Sequence, residues 1–172
     1  MSEYRYYEFQ AIDRPLTAAE MATLRNYSTR ARITPTSFVN EYHWGDFKGD
    51  TDAWMAKYFD AFLHLTNWGT RIFKLRLPSR LLSADTTELY CDGECCAVRR
   101  KGDHVVLSFN LEEEPGGEWE EGSGQLAALV PVRAELARGD QRALYLGWLL
   151  GVQQGAVDSD EVEPAVPPGL VS

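Results

Sequence analysis

Apolar side chains recur at every second position near the start of the chain, and this period predicts a β-strand over residues 6–11. Thr17 and Glu20 then have the spacing of a capping box, which predicts the start of a short helix. An extended run follows over residues 33–44. Pro35 cannot donate to a strand ladder, so that end of the run is expected at a sheet edge or a bulge.

The same alternation makes predictions for the middle of the chain. It places the side chains of Phe38 and Trp44 on one face of the second extended run. A loop with two glycines over residues 45–50 leads to a short helix that Thr51 or Asp52 is expected to cap. Two hairpins are predicted next. Their strands are expected at residues 61–66 with 71–77 and at residues 97–100 with 105–111.

The last part of the chain predicts helices. Ser123 is the expected N-cap of the first of them. Pro131 interrupts the helical spacing, so a break is expected there. Gly139 suits the C′ position, just after the end of the helix that follows Pro131, and Asp140 suits the N-cap of the next helix. The helix over residues 140–154 is apolar nearly all round, which predicts burial against the sheet or a partner.

Together these elements predict an α+β domain. Its mainly antiparallel sheet is expected to have about five or six strands, with helices packed on it and a C-terminal helical pair. A ferredoxin-like core is an option for the first half, although the helix between the second and third extended runs does not fit that order cleanly. The domain is predicted over residues 1–155, with an acidic loop at 112–124 inside it. Residues 156–172 are predicted to be an acidic, Pro-rich linker or tail.

Charge changes this picture, because it is concentrated at one end. Residues 1–109 contain as many acidic as basic residues, so the formal net charge of −9 comes entirely from residues 110–172. Such acidic blocks are typical of solvated loops and interaction segments, and they repel phosphate backbones, so we do not expect nucleic acid as a partner. Trp119 lies inside the first block and can supply an apolar anchor. The predicted partner-binding residues are Glu112, Glu113, Glu114, Glu118, Trp119, Glu120 and Glu121.

Compartment and membrane association follow from what the sequence lacks. The first residues do not have the pattern of a secretory signal, and no window approaches 18 apolar residues. Three cysteines, two of them adjacent, do not form a secreted disulfide framework. We therefore expect a cytoplasmic protein without a membrane segment; oligomeric state is not predicted.

Two groups of residues invite a metal or catalytic interpretation. Cys91, Cys95 and Cys96 with His104 have zinc-ligand chemistry, but adjacent cysteines do not fit the spacing of a structural zinc site. We expect instead one buried cysteine and two that are partly exposed.

Lys74 and its basic neighbours on the hairpins are expected on the solvent side of the sheet.

The second group lies on the glycine-containing loop. An imidazole and carboxylates there can hold Mg²⁺ or transfer protons, but their spacing matches neither a calcium loop nor a zinc-protease helix. A solvated turn is the preferred interpretation, and no catalytic residue, metal or cofactor is predicted. If the chain is an enzyme, the alternative is a small metal-dependent hydrolase using His43, Asp46 and Asp50.

Three segments resemble the N-terminal region of a group of longer uncharacterised bacterial proteins, over most of residues 4–154. They are Tyr6–Phe9, Phe38–Asp46 and Asn67–Thr70. The resemblance implies that the chain is the N-terminal part of a larger protein, and it brings no activity with it. Our leading hypothesis is a non-catalytic interaction or scaffold module that docks a basic protein surface. Besides the hydrolase, a regulatory subunit or protease substrate in a stress or defence pathway is the other alternative.

Overall fold

The structure, a computed structural model, describes residues 3–114, 121–158 and 163–170. Its strands are β1 Arg5–Gln10, β2 Arg32–Thr34, β3 Ser37–Tyr42, β4 Ala61–Thr66, β5 Thr70–Pro78, β6 Cys96–Lys101 and β7 His104–Glu112. Its helices are α1 Ala18–Arg25, α2 Thr51–Lys57, α3 Ala84–Tyr90, α4 Gln125–Leu129, α5 Pro131–Ala137 and α6 Arg142–Gln153. The strands form one antiparallel sheet in the order β2-β3-β1-β4-β5-β7-β6. The predicted α+β class, both hairpins and the C-terminal helical pair are confirmed.

The first six elements have the β-α-β-β-α-β order of a ferredoxin-like unit, with β1 between β3 and β4. The prediction of one extended run over residues 33–44 was wrong, because β2 and β3 are two strands of a hairpin. Pro35 lies in the turn between them, where its missing N–H costs no ladder bond. Its carbonyl accepts the N–H of Leu16 at 2.6 Å. Because residues 33–44 contain two strands and not one, α2 follows the third strand, as the ferredoxin-like order requires.

Helices α1 and α2 cover one face of β3, β1 and β4. Phe9, Phe38 and Phe62 on these strands are essentially buried, and Trp54 of α2 packs onto Phe38 edge to face. The capping box of α1 is confirmed: Thr17 Oγ1 accepts the N–H of Glu20 at 3.1 Å. The cap of α2 is Asp50, and the prediction of Thr51 or Asp52 was wrong by one or two positions.

Helices α3 to α6 cover the opposite face, over β4, β5, β7 and β6. The predicted break at Pro131 is confirmed, since α4 ends before it and α5 begins with it. Ser123 does not cap α4; Gly124 stands at that position with a φ of +83° and no side-chain cap. In α6, Leu144 and Trp148 are buried in this core, whereas Leu146 is 53% exposed.

The segment after α6 makes contacts with the helical face. Val157 is 6% exposed and belongs to the core cluster, and the hydroxyl of Tyr145 donates to Glu163 Oε1 at 2.5 Å. The core thus extends two residues past the predicted domain limit at 155, while the linker itself stays a prediction. Among the residues described, no helix has the length and hydropathy of a membrane span.

Candidate functional site

The antiparallel register brings several exposed aromatic side chains to one end of the sheet. β1 starts there, β3 and β4 end there, and Arg5 pairs with both Tyr42 and Thr66. The loop after β3 and the turn after β4 are therefore neighbours. We call this surface the aromatic end; it consists of residues 3–5, 43–46 and 67–70.

Trp44 is the most exposed large apolar side chain among the described residues, at 86%, and Trp68 is 37% exposed. Arg5 connects the loop that carries Trp44 with Trp68: its Nη1 donates to the carbonyl of Gly45 at 2.8 Å, and its guanidinium carbon lies 4.8 Å from the centre of the Trp68 ring. The His43 ring is 5.2 Å from the ring of Tyr4. An exposed indole ring leaves apolar surface in contact with water, which is unfavourable. A partner that buries the ring therefore gains a large apolar contact.

The acidic block begins beside these aromatic residues. The Thr70 hydroxyl donates to Glu112 Oε2 at 2.9 Å, and the N–H of Glu113 donates to the carbonyl of Gly69 at 2.9 Å. Gly69 has a φ of +112°, and a Cβ at this position would collide with the Glu113 carbonyl oxygen. Glycine is required there, because only its bare backbone permits this approach.

The charge of Glu121, at the other end of the acidic block, acts on Tyr4 of the aromatic end. The pKa of Tyr4 is raised to about 12, mainly by burial and by Glu41, with a further contribution from the charge of Glu121. Glu112, Glu113, Glu114 and Glu121 are all exposed. The remaining predicted partner-binding residues, Glu118, Trp119 and Glu120, lie outside the described residues. The structure therefore places Glu112 and Glu113 at the end of the sheet that also carries two exposed tryptophans, Trp44 and Trp68, which the sequence analysis had not assigned to the site.

Two of the three residues of the hydrolase alternative, Asp46 and Asp50, have structural roles. Asp46 Oδ1 accepts hydrogen bonds from the Tyr7 hydroxyl at 2.6 Å and from the N–H of Phe47 at 2.7 Å. Asp50 Oδ1 accepts the N–H groups of Asp52 and Ala53 at the start of α2. His43 is exposed. Within the described part of the chain, no group of three or more His, Cys, Asp or Glu side chains is placed to hold a metal ion.

The four candidate zinc ligands do not converge. His104 starts β7 opposite Lys101, whereas Cys96 pairs with Phe109 further along the same strand. The burial prediction was wrong for one cysteine: Cys95 and Cys96 are both buried and only Cys91 is partly exposed.

Two buried carboxyl groups were missed by sequence analysis. Asp60 is 1% exposed and accepts hydrogen bonds from backbone N–H groups and from Arg76. Glu8 is 7% exposed; the Tyr6 hydroxyl donates to its Oε1 at 3.0 Å, and its Oε2 has no partner among the described residues. Burial raises the pKa of Glu8. An acidic residue inside an apolar run, as at Tyr7-Glu8-Phe9, is the only sequence signal for either position.

A groove of about 540 Å³ lies on the uncovered part of the sheet, next to α2. Lys74, Arg76 and Arg99 share this face, as the strand register requires. Their charges are matched by carboxylates: Lys74 and Arg99 both pair with Asp52, at 2.8 and 3.2 Å. Arg76 pairs with Asp60 at 2.9 Å. Internal pairing thus reduces the positive field that a nucleic-acid surface needs.

Comparison of the chain with protein-family models, with curated proteins and with solved structures gave no match.

Proposed function

We propose that this domain is a non-catalytic protein-interaction module, and that its aromatic end docks a partner with a basic surface. The observation that carries the proposal is the position of Glu112 and Glu113, which the Asn67–Thr70 turn holds beside Trp68, at the same end of the sheet as the exposed Trp44. The proposal keeps the hypothesis drawn from the sequence and adds Trp44 and Trp68 as its apolar anchors.

The two kinds of side chain have different roles in this proposal. Exposed carboxylates steer a basic partner over distances of about a Debye length and mainly raise the association rate. Indole rings become buried only in the complex, so they mainly slow dissociation. Trp44 is the stronger anchor of the two, because Trp68 is already partly covered by the Arg5 guanidinium.

No specific observation favours the hydrolase alternative, since Oδ1 of Asp46 and Oδ1 of Asp50 accept hydrogen bonds within the fold. The regulatory alternative is compatible with the docking proposal and stays a prediction.

Photo-cross-linking in the native host can capture a partner whose identity is unknown. A benzophenone amino acid replaces Trp44 in one variant and Leu89, which is 62% exposed on α3, in the matched control. We expect position 44 to cross-link to a protein with a basic surface, and position 89 not to do so. If both positions capture the same proteins at equal yield, the aromatic end is not a docking surface.

Rate measurements with the captured partner then separate charge from apolar contact. Changing Glu112, Glu113, Glu114 and Glu121 to Gln is expected to slow association about 10-fold or more at low salt and to flatten its salt dependence. The matched control changes Asp85, Glu88, Asp103 and Glu135 to amides, which removes the same charge elsewhere. Trp44→Ala is expected to speed dissociation about 30-fold, as for a hot-spot residue. Equal effects of the two amide sets would show that only net charge matters and would reject the acidic block as a docking element.

A further inference from the structure

The thiols of Cys91 and Cys96 lie against each other at the junction of α3 and β6. Their sulfur atoms are 2.6 Å apart, and both residues are free cysteines. Cys91 directly follows the last residue of α3, and Cys96 is the first residue of β6. Residues 91–96 therefore form a short turn with a thiol at each end.

Hydrogen bonds of this turn hold the two thiols together. Asp92 Oδ1 accepts the N–H of Glu94 at 2.7 Å and the N–H of Cys96 at 3.2 Å. The N–H of Gly93 donates to the carbonyl of Cys96 at 3.0 Å, and Gly93 has a φ of +90°, which suits glycine. The fold, rather than chance collisions of a flexible loop, brings the sulfur atoms into contact.

We propose that Cys91 and Cys96 form an oxidative modification site, at which a low-molecular-weight disulfide converts the pair into an intramolecular disulfide. The thiolate of Cys91 attacks one sulfur of the small disulfide; that S–S bond breaks, and one small thiolate leaves and takes up a proton. The Cys96 thiol then loses its proton and attacks Cys91 Sγ, which releases the second small thiol. The two protein thiols are oxidised by two electrons, and the small disulfide is reduced to two thiols.

The order of the two attacks follows from exposure. Cys91 is half-buried, whereas Cys96 is fully buried beneath α6 and packs close to Gly147. The pKa of the Cys96 thiol is raised by its hydrogen bond with Cys91 and by burial, so Cys96 is the poorer first nucleophile. Cys95 is the natural internal control, because it is adjacent to Cys96 in the chain but is not one of the two thiols in contact.

Thiol counting and peptide mass spectrometry test this site. The folded domain is incubated with oxidised glutathione, and the remaining thiols are then labelled after denaturation. We expect the number of labelled thiols to fall from three to one, with a peptide linked between Cys91 and Cys96, and we expect dithiothreitol to restore all three. Cys95→Ser should still lose two thiols. Cys96→Ser should stop at a mixed disulfide with glutathione on Cys91.

The contribution of the fold is tested by repeating the oxidation in urea. We expect the Cys91–Cys96 link to form at least about 10-fold faster in the folded protein, since the turn presents the second thiol at contact distance. Retention of all three thiols in the native state would reject the proposal. A link through Cys95, or equal rates with and without urea, would reject it as well.

Discussion

Removal of the Asp60 carboxylate should destabilise the domain more than removal of any other single carboxylate among the described residues. Asp60 Oδ2 accepts the N–H groups of Ile12 and Asp13 at 2.6 and 2.9 Å. Its Oδ1 accepts from Nη2 of Arg76 at 2.9 Å and lies 3.8 Å from the guanidinium of Arg133. One side chain thus joins the loop after β1, strand β5 and helix α5.

The magnitude follows from burial. The side chains of Asp60, Arg76 and Arg133 are 1%, 13% and 12% exposed. Removing one partner of such a buried pair leaves an uncompensated charge, which costs about 3–5 kcal/mol. Asp13 provides the control, because its carboxylate pairs with the same Arg133 at 2.6 Å but is 49% exposed. Asp13→Asn should cost at most about 1 kcal/mol, as for other solvent-exposed ion pairs.

Urea unfolding followed by tryptophan fluorescence measures both values. Asp60→Ala should shift the midpoint strongly with an unchanged slope, and Asp13→Asn should shift it little. If Asp60→Ala does not fold, Asp60→Asn, which keeps one acceptor oxygen, should fold with a loss between those of the other two variants. An Asp60→Ala loss below about 1 kcal/mol, or a loss equal to that of Asp13→Asn, would refute the argument from burial.

Three further predictions concern positions where the structure imposes a specific constraint. Gly69→Ala should cost about 3 kcal/mol or more in urea unfolding, because its Cβ meets the Glu113 carbonyl, whereas Gly102→Ala, with a φ of +57° and open space, should cost about 1–2 kcal/mol. Equal losses would refute the steric argument. Burial raises the pKa of Glu8 in the folded domain above its ordinary value of 4.5. The unfolded chain therefore loses this proton at a lower pH than the folded domain does, so stability falls as pH rises above about 4.5. Glu8→Gln should remove that fall, which unfolding at pH 5 and 8 measures; an unchanged pH dependence would contradict the assignment. Val157→Ala should cost about 1.5 kcal/mol in thermal or urea unfolding, since two buried methyl groups are lost, and no loss would show that the core ends before it.

Much of the fold was predictable because its signals are local. The capping box at Thr17 and Glu20, the two hairpins and the break at Pro131 each depend on residues a few positions apart. The ferredoxin-like order was obscured at one position. Pro35 was expected at the end of a single strand, but its fixed φ and missing N–H also suit the turn of a hairpin, and the sequence does not distinguish the two.

The candidate site was predictable only in part, because it depends on the end of a strand. The period of two placed Trp44 on the same face as Phe38, but β3 ends at Tyr42 and the alternation no longer applies beyond it. Phe38 is consequently buried and Trp44 is 86% exposed. The contact between Cys91 and Cys96 was missed for a similar reason, since the hydrogen bonds of Asp92 that close this turn leave no periodic pattern.

Gly69 shows how the sheet itself can set the position of a docking surface. The acidic block follows β7 in the chain, and a solvated loop at that point could leave the strand in any direction. The hydrogen bond from the Glu113 N–H to the Gly69 carbonyl continues the pairing of β5 with β7 past the end of the strands and holds the first glutamates beside Trp68. If docking depends on this geometry, Gly69→Ala should weaken partner binding in protein that is still folded, and Gly102→Ala should not. If the Gly69→Ala domain binds its cross-linked partner as tightly as the wild type does, the glutamates act through their charge alone and their position beside Trp68 does not matter.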